Sequence, residues 1–232
     1  MRMCNEEIAY ETLPDSELAS TVMAELKYHH DNDEIIKGAY WEKGKGCAVG
    51  CLLKSGNHRE YEVKFGIPVV LARLEDTLFE GLESKASKLW PQRFMGAALA
   101  VGESREERMN LLTQVGWQFF HWLVADELPK SVIGEGKVFD DVRESIAQVA
   151  ETLKPLADGR KVDAAELARV SKAAHAGAVA GYADAVAAAA GYADAVAPDA
   201  DAVAPDADAA YRSMADKLVE LIGSATTQER RV

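Results

Sequence analysis

The sequence predicts a mainly α-helical protein, and three observations support this fold class. Apolar residues recur every three or four positions in several segments, which is the spacing of one helix face. No convincing run of alternating β-branched residues occurs, so an extended sheet is not expected. Alanine, the best helix former, dominates the last third of the chain. We therefore expect a multi-helix globular N-terminal part, residues 1–159, followed by an alanine-rich helical part, residues 160–232.

Four helices are predicted in the N-terminal part. Asp15 or Ser16 is suited to cap the first, because either side chain can accept a hydrogen bond from a free backbone N–H. Pro68 is tolerated in the first turn of the second, where its missing N–H is not needed. The apolar stripes, in chain order, are Leu18, Val22 and Leu26; Ile67, Val70, Leu71, Leu74, Leu78 and Leu82; Leu112, Val115, Phe119 and Trp122; and Val138, Val142, Ile146, Val149, Leu153 and Leu156.

The composition changes near residue 160. Gly159 is suited to end a helix in a left-handed conformation. Alanine then supplies 20 of the 38 residues from 173 to 210, which favours a helical hairpin or a long broken helix packed on the N-terminal part. Pro198 and Pro205 must each interrupt or start a helix. A last helix is expected through Tyr211, Met214, Leu218 and Leu221, before a polar tail that begins at residue 226.

Charge and cysteine usage exclude several classes of protein. The chain has 38 acidic and 26 basic residues and a net charge of −12, a field that repels phosphate backbones. Direct nucleic-acid binding is therefore not expected. Three cysteines do not form a disulfide framework, and the first residues carry no apolar leader. No uncharged apolar stretch is long enough to span a bilayer, so we expect a cytoplasmic protein without a membrane partner.

Reactive residues are concentrated between residues 28 and 58, which hold three of the five histidines and two of the three cysteines. One hypothesis is a zinc site formed by Cys47, Cys51, His58 and either His29 or His30, since Zn²⁺ prefers thiolate and imidazole. A second makes Cys47 a nucleophile at a helix start, with His58 or His30 as its base. A third treats both cysteines as small packing residues. All three stay open, and no cofactor besides zinc is expected.

Two resemblances accompany these patterns. Residues 25–125 resemble a family of uncharacterised bacterial and prophage proteins, through the segments Tyr28–Asp31, Trp41–Cys51, Gly66–Pro68, Leu71–Asp76 and Phe79–Leu82. The second half is similar to the alanine-rich helical region of bacterial immunity proteins, through Asp163–Ala168 and Lys172–Ala176. Together they imply a phage or bacterial protein that binds and blocks another protein.

The leading functional expectation is a non-enzymatic protein that binds a protein partner. An acidic surface suits a basic partner, including a nucleic-acid-processing enzyme. Stoichiometric inhibition in phage–bacterium conflict is the role that the resemblances imply. A homodimer is also open, because a helix rich in alanine gains little from packing on one side. The alternative is a thiol-dependent enzyme or a zinc-binding module built on Cys47, Cys51 and His58.

Overall fold

The computed structural model describes residues 8–160 and 204–229, and helices dominate both ranges. The predicted fold class, mainly α, is confirmed. The helices are α1 (Asp15–Asp31), α2 (Ala48–Leu53), α3 (Glu60–Phe65), α4 (Val69–Gly81), α5 (Ser84–Ala98), α6 (Arg105–Trp122), α7 (Lys137–Ala157) and α8 (Ala204–Glu229). Two short strands, β1 (Trp41–Glu42) and β2 (Lys45–Gly46), form an antiparallel hairpin in which Trp41 is opposite Gly46. No helix within the described ranges has the length and apolar content needed to cross a membrane.

The chain divides into two compact units, and the division falls inside α6 between residues 115 and 116. The first unit comprises the chain up to residue 115 together with the segment from residue 205 onward. In it, α5 packs against both α1 and α4, while α2 packs against both α1 and α4. Its largest fully buried side chains include Trp90, Tyr10, Tyr61, Phe65, Phe79 and Phe94.

Helix α8 belongs to the first unit and buries Leu218 and Ile222. Arg93 Nη1 on α5 lies 2.7 Å from Asp216 Oδ1 on α8, which adds an ion pair at the surface. Because this helix runs to Glu229, residues 226–229 continue it, and the rest of the predicted polar tail lies outside the described residues. Pro205 lies in its first turn, as expected of a proline that starts a helix.

The second unit has its own small apolar cluster. Leu153 and Leu156 of α7 pack with Trp117, Phe120 and Val124. A π-helical turn over Leu123–Glu127 and a 3₁₀ turn over Leu128–Ser131 follow α6. The third and fourth predicted stripes are confirmed as helices α6 and α7.

Two expectations about local structure are wrong. Pro14 precedes α1, and Asp15 is its first helical residue rather than its cap, because its carboxylate bonds two arginines instead. In α4 the stripe is displaced: Val70 is 40% exposed. The buried face consists of Leu71, Ala72, Glu75, Leu78 and Phe79. A carboxyl group therefore occupies a core position of this helix.

Predictions for the alanine-rich part are tested only at its end. The last helix, predicted through Tyr211, Met214, Leu218 and Leu221, is confirmed as α8. The tract from residue 173 to residue 203, with the break at Pro198, lies outside the described residues. The predicted boundary between residues 1–159 and 160–232 stays a prediction.

Candidate functional site

A short hairpin and three glycines fix Tyr40 beside the predicted Cys/His cluster. A Cβ atom at Gly46 or at Gly50 would overlap the Tyr40 carbonyl oxygen, so only glycine permits this approach of the two backbones. The Tyr40 ring packs against Gly56, and its centroid lies 5.7 Å from that of the His58 ring. Tyr40 is 49% exposed and therefore forms part of the outer surface next to His58.

Asp76 of α4 brings Cys47 and His58 into one group. The His58 Nε2 atom lies 3.3 Å from Asp76 Oδ2, and these side chains are 12% and 15% exposed. Cys47 is buried immediately before α2. Burial raises the pKa of its thiol, and the charge of Asp76 raises that pKa further. Because the thiolate is the reactive form of cysteine, Cys47 is not activated in this arrangement.

Two fully buried polar side chains, Tyr61 and Glu75, belong to the same group. Among the described residues, no hydrogen-bond partner reaches Tyr61 Oη, either carboxyl oxygen of Glu75, or Asp76 Oδ1. Burial raises the pKa of Glu75 well above its ordinary value, and the charge of Asp76 acts in the same direction. Burial also raises the pKa of Tyr61, with the charge of Glu75 as the next cause. We refer to Cys47, His58, Tyr61, Glu75 and Asp76 as the acid cluster.

The acid cluster is unusual for a protein interior. Buried polar atoms are almost always hydrogen-bonded, because leaving one unpaired costs about 1–3 kcal/mol. Here four unpaired oxygens occur on three residues, and two of those residues are adjacent in one helix. Such a concentration of unpaired buried groups makes the acid cluster a candidate functional site.

A second buried group surrounds His29 and has the opposite character. The ring nitrogens of His29 lie 2.6 Å from Glu34 Oε2 and 3.2 Å from Glu25 Oε1. Lys54 Nζ lies 3.1 Å from Glu25 Oε1, 2.8 Å from His29 Nε2 and 4.2 Å from the centre of the Trp41 ring. We refer to these five residues as the His29 network. Glu25 is paired with both His29 and Lys54, and Glu34 is paired with His29.

The remaining predicted site residues have different partners. The Cys51 thiol is 3.5 Å from the Gly46 carbonyl oxygen, and burial raises its pKa to about 12. His30 lies on a more exposed part of α1, with Nδ1 3.4 Å from Asp31 Oδ1. Within the described ranges, no set of three or more His, Cys, Asp or Glu residues has an arrangement that could hold a metal ion. The zinc site with Cys47, Cys51, His58 and His30 stays a prediction.

A third feature is formed where the starts of α1 and α6 meet. Arg105 and Arg108 donate to the two carboxylate oxygens of Asp15, both at 3.1 Å. Arg108 is buried and also donates to the Phe65 carbonyl oxygen at 2.9 Å. Arg105 donates to the Leu13 carbonyl oxygen at 3.0 Å. These bonds hold the first turns of the two helices together.

Several of the exposed side chains around this junction are acidic. Glu11 and Glu17 belong to the start of α1 and the turn before it, and Glu103 and Glu106 to the start of α6 and the residues before it. All four are exposed. We refer to them as the acidic end. The basic groups at the junction, Arg105 and Arg108, are turned toward Asp15 and backbone carbonyls.

Sequence reasoning did not identify Tyr40, Tyr61, Glu75 or Asp76. One signal was available, since Glu75 lies four residues after Leu71 on the buried face of α4, and an acidic residue at a core position is rare. Asp76 gave no such signal, because a carboxylate next to that face is ordinary. The two tyrosines resembled ordinary core or surface aromatics.

No family model, curated protein or solved structure matches this chain. The resemblances stated from the sequence therefore stay predictions.

Proposed function

We propose that this chain is a protein-binding protein that engages a basic partner through its acidic end. One observation carries the proposal: four exposed carboxylates surround a single helix junction, namely Glu11, Glu17, Glu103 and Glu106. The ion pairs of Asp15 hold that junction together. A rigid, acidic surface raises the association rate with a basic protein and selects against acidic ones. It also repels phosphate groups, so the proposal includes no direct binding of nucleic acid or membrane.

The state of the cysteines favours binding over catalysis as the main role. Burial keeps the thiols of Cys47 and Cys51 protonated, so neither is poised as a nucleophile. The sequence resemblances extend the proposal to a stoichiometric inhibitor or immunity-type factor in phage–bacterium conflict, acting in the cytoplasm. A nucleic-acid-processing enzyme is a suitable target, because its groove is basic.

The test is affinity capture from a native host extract with three forms of the full chain. These are the wild type, a variant with all four carboxylates of the acidic end changed to Gln, and a control with Asp140, Asp141, Glu144 and Glu151 changed to Asn or Gln. The control removes the same number of exposed charges from α7. We expect a basic protein to be captured by the wild type and the control but lost from the acidic-end variant. Binding should weaken as salt is raised, because surface charges are screened.

Two outcomes would overturn this proposal. One is the absence of any stoichiometric protein partner at both low and moderate salt. The other is an equal loss of capture in the control, which would show that overall charge rather than the acidic end is responsible. A captured protein is then purified and titrated, since an inhibitor must block its activity at one-to-one stoichiometry.

Homodimerisation is a second form of partner binding that the sequence favours. Light scattering at high protein concentration checks it, because a monomer has a mass of 25.1 kDa. A clean monomer at every concentration would remove a second copy from the proposal and leave a different protein as the partner.

A second candidate function is a thiol-dependent enzyme, which the meeting of Cys47, His58 and Asp76 favours. An activated Cys47 would react with iodoacetamide much faster than Cys51, measured by comparing Cys47→Ser and Cys51→Ser variants. We expect both thiols to react slowly, because both are buried and protonated. Fast labelling confined to Cys47 would favour the enzyme. Metal analysis of protein purified without chelator tests the zinc alternative, which requires stoichiometric zinc that is lost in both variants.

A further inference from the structure

The unpaired atoms of the acid cluster share one chemical preference. The carboxyl oxygens of Glu75 and Asp76 Oδ1 accept hydrogen bonds when ionised, and Tyr61 Oη can accept as well. A group that satisfies them must therefore donate hydrogen bonds. We propose that the acid cluster binds a small primary-ammonium ligand, whose three N–H groups are donated to Glu75, Asp76 and Tyr61.

The charge of the site fits a cation. Glu75 and Asp76 are adjacent on α4, and the charge of Asp76 adds to burial in raising the pKa of Glu75. This contrasts with the His29 network, where Lys54 compensates the carboxylate of Glu25. A bound ammonium group would supply a positive charge and hydrogen-bond donors to the unpaired Glu75 carboxyl group. Opposite charges attract more strongly in a buried site than in water, because the surrounding dielectric constant is low.

Solvent reaches the cluster from one side. His58 and Asp76 are its partly exposed members, and the exposed Tyr40 ring lies against His58. Glu75 and Tyr61 lie further in and are fully buried. A ligand that approaches past His58 and Asp76 must therefore have a small head group and a narrow stem, because only its head can reach the buried oxygens. The geometry does not favour a divalent metal, since the described residues give no set of three suitable ligands.

Binding must be coupled to proton release. Burial raises the pKa of Glu75 and so favours its protonated form in the free protein, and at any pH below that raised pKa an entering cation is expected to displace the proton to the solvent. The affinity should then rise about tenfold per pH unit, as for one proton released on binding. The other titratable groups near this position are Asp76, His58, Cys47, Cys51 and Tyr61. Glu80 and Arg73 act with Asp76 on the neighbouring Tyr40. Comparing the pH dependence of binding in the wild type and in Glu75→Gln separates the contribution of Glu75 from the contributions of these other groups.

The experiment measures the melting temperature of the full chain in methylammonium chloride, tetramethylammonium chloride and sodium chloride at equal ionic strength. Methylammonium has three N–H donors and tetramethylammonium has the same charge without any. We expect a saturable rise in melting temperature with methylammonium only, and a larger rise at pH 8 than at pH 6. Alkylammonium groups stay protonated to about pH 10, so the pH effect belongs to the protein.

Matched variants locate the effect. Glu75→Gln keeps the shape of the protonated acid, so it should fold, and it should lose the methylammonium response. Tyr61→Phe removes one hydroxyl and should weaken that response. Glu151→Gln, an exposed carboxylate on α7, should keep it in full.

Three results would overturn the inference. An equal shift with tetramethylammonium would show a response to charge alone, and saturable stabilisation by sodium would show a site for inorganic cations. A methylammonium effect that persists in Glu75→Gln would place the binding elsewhere. None of these results depends on the acidic end, so this inference and the proposed protein binding fail separately.

Discussion

The His29 network and the acid cluster contact opposite ends of the same short helix, α2, but differ in how buried charge is balanced. Lys54 follows α2 and is paired with Glu25 in the His29 network. Cys47 precedes α2 and lies beside Asp76 and Glu75 in the acid cluster, where His58 lies against Asp76 and no described residue donates a hydrogen bond to the Glu75 carboxyl group. Helix α2 packs against α1, which carries Glu25 and His29 of the His29 network. It also packs against α4, which carries Glu75 and Asp76 of the acid cluster.

This difference separates a structural arrangement from a functional candidate. Charged groups that are paired and hydrogen-bonded can be buried at little net cost, and removing one partner is what destabilises the protein. Unpaired buried acids cost stability in the folded state, so a protein that retains them uses the position for something other than packing. We therefore expect the two groups to respond to substitution and to pH in opposite ways.

The largest effect is expected from Gly50→Ala, which disturbs both groups together. The added Cβ overlaps the Tyr40 carbonyl oxygen, so the hairpin or α2 must move. Overpacking of this kind costs about 3 kcal/mol, measured by urea unfolding. The control is Gly223→Ala on α8, where a Cβ meets no atom within 4 Å. That control should gain up to about 1 kcal/mol from the better helix propensity of alanine. Equal stability of Gly50→Ala and wild type would show that Tyr40 is not held as described.

The next effect is a change in pH dependence caused by Glu75→Gln. The pKa of Glu75 is higher in the folded state than in the unfolded state. At pH values between these two pKa values, the folded state therefore binds more protons than the unfolded state. Wild-type stability should therefore fall as pH rises from 5 toward the folded pKa, by up to about 1.4 kcal/mol per pH unit for one proton. The variant should lack this slope in urea unfolding at several pH values. Parallel curves for the two proteins would contradict a buried, protonated Glu75.

In the His29 network, Lys54→Met should be moderately destabilising. Lys54 Nζ bonds Glu25, His29 and the Cys51 carbonyl oxygen, and Met leaves these groups without their donor. We expect a loss of about 2 kcal/mol, the usual cost of losing hydrogen bonds to a charged group. The matched control is Lys27→Met, whose ion pair with Asp31 has side chains that are 70% and 52% exposed. That control should change stability by less than about 0.5 kcal/mol. Equal effects would mean that the network is not a stabilising unit.

The smallest effect is expected from Glu25→Gln, and its pH dependence has the opposite sign to that of Glu75. A hydrogen bond from His29 lowers the pKa of Glu25, and Lys54 lowers it further, although burial raises it in part. Wild-type stability should therefore fall as pH decreases through that lowered pKa. The variant should show a shallower loss between about pH 5 and pH 3, with a difference below about 1 kcal/mol because the pair is partly exposed. A steeper acid loss in the variant would reverse the assignment.

The sequence by itself determined the helical class and the position of most helices. Apolar spacing located α6 and α7, and it located α8 through Leu218, because a helix face must be apolar wherever it contacts a core. The concentration of Cys and His residues near α2 was also visible, since composition needs no structure. These properties depend on residues that are close in the chain.

Only the tertiary structure decided which residues form the site. Cys47, His58 and Asp76 are separated along the chain and meet because α2, α3 and α4 pack together. Packing also decided which face of α4 is buried. Val70 and Glu75 lie on opposite margins of the apolar stripe, and the neighbouring helices cover Glu75 rather than Val70. The local spacing of apolar residues defines a stripe about 100° wide, and it cannot choose between residues at its two edges.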